Sequence, residues 1–272
     1  MPRIAVLQMT SGIEPEINAV ALEEAVAQAA GEGAAMLFTP EMSGLLDRDR
    51  KRAAQSIAEE DETLALVRVR DAAARAGIWV SLGSLAVDIG DGRWANRAFV
   101  IDPEGRIAAR YDKIHMFDVD LASGESWRES NAYRAGDHVT SVENTPVGRL
   151  GLTVCYDIRF PALFDALGQA QCDCIAIPAA FTVPTGTAHW HVLQRARAIE
   201  ASAFVVAASQ VGEHADGRRT YGHSLVVDPW GEVLLDMGGE QPGLGFADFD
   251  LARIAEVRAQ VPSLANRREI AN

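Results

Sequence analysis

The chain has 272 residues, 48% hydrophobic and 23% charged, with a formal net charge of −13, a balance that predicts a globular protein and excludes nucleic acid or an anionic membrane as its main partner. Its length suits one domain over 1–272 with a single large core. It has no apolar run of transmembrane length, no signal-peptide core in the opening MPRIAVLQMTSG, and too few cysteines for a disulfide framework, so a cytoplasmic location is expected.

The elements fall in two similar series. RIAVLQM (3–9) reads as a strand, and EINAVALEEAVAQAAGEG as a helix with one apolar face and a glycine stop. MLFTPE (36–41) is a short strand ending at proline. DETLALVRVRDAAARAG is the next helix, and GIWVSLGS (77–84) the next strand. AFVIDPEGRIAARYD (98–112) then reads as a hairpin turning at DPEG. The stretch 114–140 predicts a long irregular loop, a feature usually functional in a compact domain. After it the series repeats. RLGLTVC (149–155), PALFDALGQA, CIAIPAA (174–180), AHWHVLQRARAIEAS, SAFVVAAS (202–209) and SLVVDPWGEVLLDMG (224–238) occupy the same places in order. Strand–helix alternation of this kind predicts an α/β fold. Two sheets, each with helices on one face, pack by their free faces into a four-layer α-β-β-α sandwich. The repeat alone leaves a single doubly wound sheet open.

Three chemical groups sit at predicted strand ends, the edge where open α/β sheets bind ligands. Glu41 follows MLFTP, Lys113 follows RIAARYD, and Cys155 follows RLGLTV; Glu129 lies on the loop between the last two. Lys113 stands out because the chain has 25 basic residues and only Lys51 and Lys113 are lysines. Together these types make a nucleophilic site. A thiol attacks, a carboxylate moves its proton, and a compact ammonium holds an oxyanion. Each alone has an ordinary structural reading: packing for Cys155, a helix-start carboxylate for Glu41, a surface charge for Glu129 and a snorkelling chain for Lys113.

FTPEMSG, YDKIHMFDVD, RESNAYRAGD and GLTVCYDIRFP resemble the signature segments of the nitrilase, or carbon–nitrogen hydrolase, superfamily, and the likeness runs along essentially the whole chain. The resemblance implies the α-β-β-α sandwich, a Glu41–Lys113–Cys155 triad with Glu129 as auxiliary acid, and a homodimer or higher homo-oligomer. It implies no metal and no organic cofactor. CYDIRFP resembles the amidase branch that contains deaminated-glutathione amidase and omega-amidase. AHWHVLQRARAIE, YGHSLVVDPWG and Tyr221 favour the first of these. The expected partner is therefore a small-molecule amide bearing a carboxylate. The alternatives are omega-amidase activity on α-ketoglutaramate-type substrates, another branch such as carbamoylase or nitrilase, and a non-catalytic scaffold on the same fold.

In the expected reaction Glu41 deprotonates Cys155, and Lys113 with the Tyr156 backbone N–H holds the oxyanion of the attacked amide. Water then clears the thioester. Arg159 reads either as the partner of a substrate carboxylate or as a structural cation paired with an acid such as Asp157. Phe181 and Thr185 line the pocket by resemblance. Cys172 and Cys174 read as packing residues. His189 and His191, two apart on a helix, point to different faces and read as pocket lining or core rather than as metal ligands. A papain-like Cys–His pair is disfavoured because no histidine is well placed.

Overall fold

Alternation along the strands sets the layers. In the computed structural model, which describes residues 1–122, 124 and 126–268, Ile4, Val6, Met36, Phe38, Ala98 and Val100 face one core. Their neighbours Ala5, Leu7, Leu37, Phe99 and Ile101 face another. A strand buried on both sides in this way belongs to an inner layer.

In chain order the elements are β1 (Arg3–Gln8), α1 (Pro15–Gly31), β2 (Met36–Phe38), α2 (Arg50–Ala53), α3 (Leu64–Ala76), β3 (Trp79–Asp88), β4 (Trp94–Ile101) and β5 (Ile107–Asp112). There follow β6 (Asp118–Asp120), β7 (Ser126–Arg128), β8 (Ser141–Thr145), β9 (Gly148–Leu152), α4 (Pro161–Gln169), β10 (Cys174–Ala176) and α5 (Val183–Ala201). The last are β11 (Phe204–Ala207), β12 (Val211–Glu213), β13 (Arg219–Tyr221), β14 (Leu225–Val227), β15 (Val233–Asp236), β16 (Gly243–Asp248) and α6 (Ala252–Gln260).

The strands form two six-stranded sheets, ordered β16-β1-β2-β3-β4-β5 and β15-β14-β11-β10-β9-β8. In each, three parallel strands are flanked by antiparallel ones. The predicted repeat is the topology: β1, β2, β3 and the β4–β5 hairpin match β9, β10, β11 and the β14–β15 hairpin. Residues of both sheets meet in one apolar cluster, and α1 and α3 cover the outer face of the first sheet. The four-layer sandwich is the observed architecture. Cys172 and Cys174 are fully buried in this core, as packing residues should be.

The stretch 114–140 departs from expectation. It contains the antiparallel pair β6–β7 and a 3₁₀ turn at Glu129–Asn131. Strands of three residues are too short to show a period, so the sequence pattern could not separate them from loop.

One close approach fixes the end of β2. A Cβ built on Gly83 of β3 would stand 2.0 Å from the Thr39 carbonyl oxygen, 2.5 Å from that of Pro40 and 2.6 Å from Pro178. The backbone leading into Glu41 thus lies against β3 with no room for a side chain. Gly83→Ala should cost about 1–3 kcal/mol in urea unfolding, the usual penalty of overpacking, and should displace the Glu41 segment. A variant with wild-type stability would mean that this contact relaxes freely.

Candidate active site

Glu41, Lys113, Glu129 and Cys155 come together where the carboxyl ends of β2, β5 and β9 converge. Lys113 is only 2% exposed. Its Nζ donates to Glu41 Oε1 at 2.9 Å, and to Glu129 Oε2 and Oε1 at 2.8 and 3.1 Å. An ammonium taken out of water needs such compensation, because the desolvation cost otherwise amounts to several kcal/mol.

Each side chain is held by backbone. Glu41 Oε2 accepts the Ala180 amide at 2.9 Å, and the Glu41 carbonyl accepts Gln210 Nε2 at 2.9 Å. Glu129 Oε2 accepts the Phe117 amide at 2.7 Å. Cys155 opens a 3₁₀ turn after β9 with a left-handed φ of 49°, and donates its amide to the Pro178 carbonyl at 2.8 Å. A non-glycine residue in that region is strained and is held there by its surroundings. The Tyr156 amide has no backbone acceptor among the described residues.

Electrostatics set the protonation pattern. Burial pushes the Glu41 carboxyl up, but the Lys113 charge and donors from Cys155, Lys113 and Asn96 outweigh it and leave the group below its ordinary value. Burial pulls the Lys113 ammonium down, yet Glu129 and Glu41 hold it well above the usual lysine range. For Cys155, burial and then the Glu41 charge push the thiol well above its ordinary value, and Lys113 offsets only part of this. The neighbouring cation therefore does not make a resting thiolate. The surroundings thus favour a neutral thiol at Cys155 beside an ionised carboxylate at Glu41.

Two supports, Asn96 and Asp157, were not read as such from the sequence. Asn96, on β4, donates through Nδ2 to Glu41 Oε1 and Glu129 Oε1, both at 3.0 Å. Its Oδ1 has no partner among the described residues, so those two donations fix the amide. Asp157 accepts from the Val154 amide at 2.9 Å, Tyr111 Oη at 2.7 Å and the His115 amide at 3.0 Å, and its Oδ1 lies 2.7 Å from His115 Nδ1. This ties the Cys155 turn to the Lys113 segment. A polar residue on an inward strand position was the one available hint for Asn96.

The remaining predicted residues line the same cleft: Tyr156, Arg159, Phe181 and Thr185 all face it. Arg159 does not pair with Asp157. Its guanidinium lies over the Tyr156 and Phe181 rings at 5.9 and 5.3 Å and near His189 Nδ1 at 3.3 Å. It has no carboxylate partner among the described residues. His115 stacks on Phe160 at 3.6 Å and faces Asp157, so it is no general base for the cysteine. Tyr221 is not part of the cleft lining; it packs against the backbone of Gly186 behind it.

A four-layer α-β-β-α sandwich thus carries a buried Glu–Lys–Cys cluster at its strand ends. The model of the carbon–nitrogen hydrolase family matches residues 3–259, and the chain belongs to that family. It is 38% identical to a deaminated glutathione amidase of Yersinia enterocolitica over 99% of this chain and 94% of that one. Against the human deaminated glutathione amidase the identity is 38%, over 98% and 83% of the two chains. The NitFhit protein of C. elegans superposes with a TM-score of 0.90 at 36% identity, covering 98% of this chain and 65% of that longer one. An amidase from Nesterenkonia sp. AN1, solved as a mutant with acrylamide added to its active-site cysteine, superposes with a TM-score of 0.80 at 26% identity. It covers 96% of this chain and 98% of that one. The protein is an enzyme that hydrolyses carbon–nitrogen bonds, a cysteine amidase.

The pKa directions fix the pH dependence. With Glu41 as the expected base and Cys155 as the expected nucleophile, the acid limb of kcat/KM should lie below the ordinary glutamate value of 4.5 and the alkaline limb above the ordinary thiol value of 9.0. Asn96→Ala removes a donor from Glu41, which should move the acid limb upward and lower kcat/KM roughly 10- to 100-fold. An unchanged pH profile would show that Asn96 is only a packing residue.

Proposed function

We propose that the enzyme hydrolyses the amide of a small, carboxylate-bearing substrate of the deaminated-glutathione type, releasing ammonia. The observation that carries this reading is the charge of the cleft. Among the described residues it is lined by Lys113 and by Arg48, Arg50, Arg128, Arg159, Arg218 and Arg219, against Glu41, Asp47 and Glu129. Seven cations face three carboxylates in a chain whose net charge is −13. Such a local excess favours an anionic ligand. The names of the curated relatives agree with it.

In this mechanism Cys155 Sγ attacks the amide carbonyl carbon as its proton passes to Glu41. Lys113, turning away from Glu129 Oε1, and the Tyr156 N–H hold the oxyanion. Glu129 keeps Lys113 neutralised and in place. Glu41 gives its proton to the leaving nitrogen, the C–N bond breaks, and ammonia departs from a Cys155 thioester. Water attacks the thioester while Glu41 takes its proton. The sulfur leaves and recovers that proton, and the acid is released. Arg159 pairs with the substrate carboxylate; Phe181 and Thr185 shape the wall.

The same reading treats 1–272 as one catalytic domain, because Glu41 and Cys155 come from opposite halves of the repeat. It makes the enzyme cytoplasmic, supported by its three free cysteines. It also makes it a homo-oligomer, most simply a homodimer. Val192, Ile199 and Trp230 are 69%, 49% and 48% exposed, and such large apolar side chains suit a face covered by a second copy. No helix of the described chain is long and apolar enough to cross a membrane.

Ammonia release from deaminated glutathione should exceed that from α-ketoglutaramate, measured side by side as kcat/KM. Nitriles and ureido compounds should be inert. A reversed preference would assign the omega-amidase activity instead. Cys155→Ala should abolish turnover in a folded protein, while Cys172→Ala should retain the chemistry.

Arg159→Met should lower kcat/KM by about 30- to 1000-fold, equivalent to roughly 2–4 kcal/mol for a charge-assisted hydrogen-bond pair. Blocking the substrate carboxylate as a methyl ester should cost the same. The two losses should not add, because both remove one interaction. Additive losses would reject direct recognition by Arg159.

A further inference from the structure

We infer that His191, His223 and Asp236 form a binding site for one divalent transition-metal ion of the zinc class, away from the catalytic cleft. The three residues come from separate elements: α5, the turn between β13 and β14, and the end of β15. His191 Nε2 lies 3.0 Å from Asp236 Oδ2, and His223 Nδ1 lies 2.9 Å from Oδ1 and 3.2 Å from Oδ2. One ligand atom from each residue lies within 4.8 Å of the other two. Nitrogen and oxygen ligands bind zinc at about 2.0–2.2 Å in a tetrahedral arrangement, which spaces them about 3.3 Å apart. The carboxylate already stands at nearly that spacing from each imidazole.

Other contacts hold the donors in place. His223 has a left-handed φ of 53°, with its amide donating to the Gly238 carbonyl at 2.8 Å and its own carbonyl accepting Trp190 Nε1 at 2.8 Å. The Tyr221 ring stacks on His223 with centroids 4.5 Å apart. Asp236 Oδ1 accepts the Gly238 amide at 2.9 Å. This is the outer support that orients metal ligands elsewhere.

The pairing pattern points the same way. Asp236 has only imidazoles for ion-pair partners among the described residues, in a chain where arginine serves most of the other paired acids. Two histidines and a carboxylate, all partly exposed, suit a borderline metal whose remaining positions are filled by water. A bound ion would clip α5 to the β14–β15 hairpin. Thr185 of the cleft belongs to α5, and Tyr221 backs its first turn at Gly186, so the clip would steady that wall of the pocket.

The test uses chelator-treated full-length protein with zinc chloride and cobalt chloride as probes. Calorimetry should give one saturable zinc site, and zinc should raise Tm progressively as its free concentration rises above the Kd. His191→Gln and His223→Asn should each weaken binding at least about tenfold and abolish the Tm rise; asparagine tolerates the left-handed backbone. His138→Gln, at an exposed histidine outside the cluster, should leave both unchanged. Asp236→Asn, nearly isosteric, should also lose binding and covers the case of a histidine variant that misfolds. The cobalt spectrum should lack a thiolate charge-transfer band. No saturable binding by the wild type overturns the inference, as does binding that survives in His191→Gln and Asp236→Asn. A thiolate band that disappears in Cys155→Ala would place the metal at the nucleophile and overturn it equally.

Discussion

The buried ammonium of Lys113 is the constraint on which the site depends. It is the one fully buried lysine, and it sits between two carboxylates delivered by different parts of the chain. Removing either partner of such a pair usually costs about 3–5 kcal/mol, since a charge is left uncompensated. The segments carrying Glu41, Lys113 and Glu129 are therefore tied together by charge as well as by packing. With one cation and two anions, the cluster keeps an excess negative charge. Burial, and then the Glu41 charge, raise the cost of a Cys155 thiolate, and Lys113 offsets only part of this while it helps hold the Glu41 carboxyl below its ordinary value. In the proposed mechanism the proton moves only when the sulfur has an electrophile to attack.

The scaffold that holds this cluster is nearly symmetric, but the chemistry is not. The strand end that presents Cys155 corresponds to Met9 in the first half, and the one that presents Glu41 corresponds to Ala179 in the second. Lys113, after the first hairpin, corresponds to Gly239 after the second. Each half thus contributes a different part of one site. The non-catalytic strand ends still act as supports: the Ala180 amide holds Glu41, the Pro178 carbonyl holds the Cys155 amide, and Met9 bridges to Gln210, which holds the Glu41 carbonyl. Loss of symmetry at these ends is how one repeated framework yields one site.

How much of this could be read from the chain follows from the range of each interaction. The repeated strands were legible because their apolar runs and proline or glycine stops are local. Glu41, Lys113 and Cys155 were legible because each follows a strand directly, and Glu129 because it lies in a recognisable segment. Asn96 was not, since its role depends on two carboxylates from residues 41 and 129 that only the fold brings to it. The short β6–β7 pair and the return of β16 to β1 rest on long-range pairing without a period of their own. His191 illustrates the same limit: its spacing from His189 shows that the two diverge, but not that His223 and Asp236 await it.

The resting protonation of Cys155 is the most direct measure of this account. Thiolate ultraviolet absorbance, recorded against pH as the difference between wild type and Cys155→Ser, isolates the one sulfur concerned. Burial together with the Glu41 charge predicts no Cys155 thiolate signal through the neutral range, with absorbance rising only above the ordinary thiol value of 9.0. A full thiolate signal at pH 7, titrating away toward acid, would mean that Lys113 outweighs Glu41 and that the site works through a preformed ion pair instead.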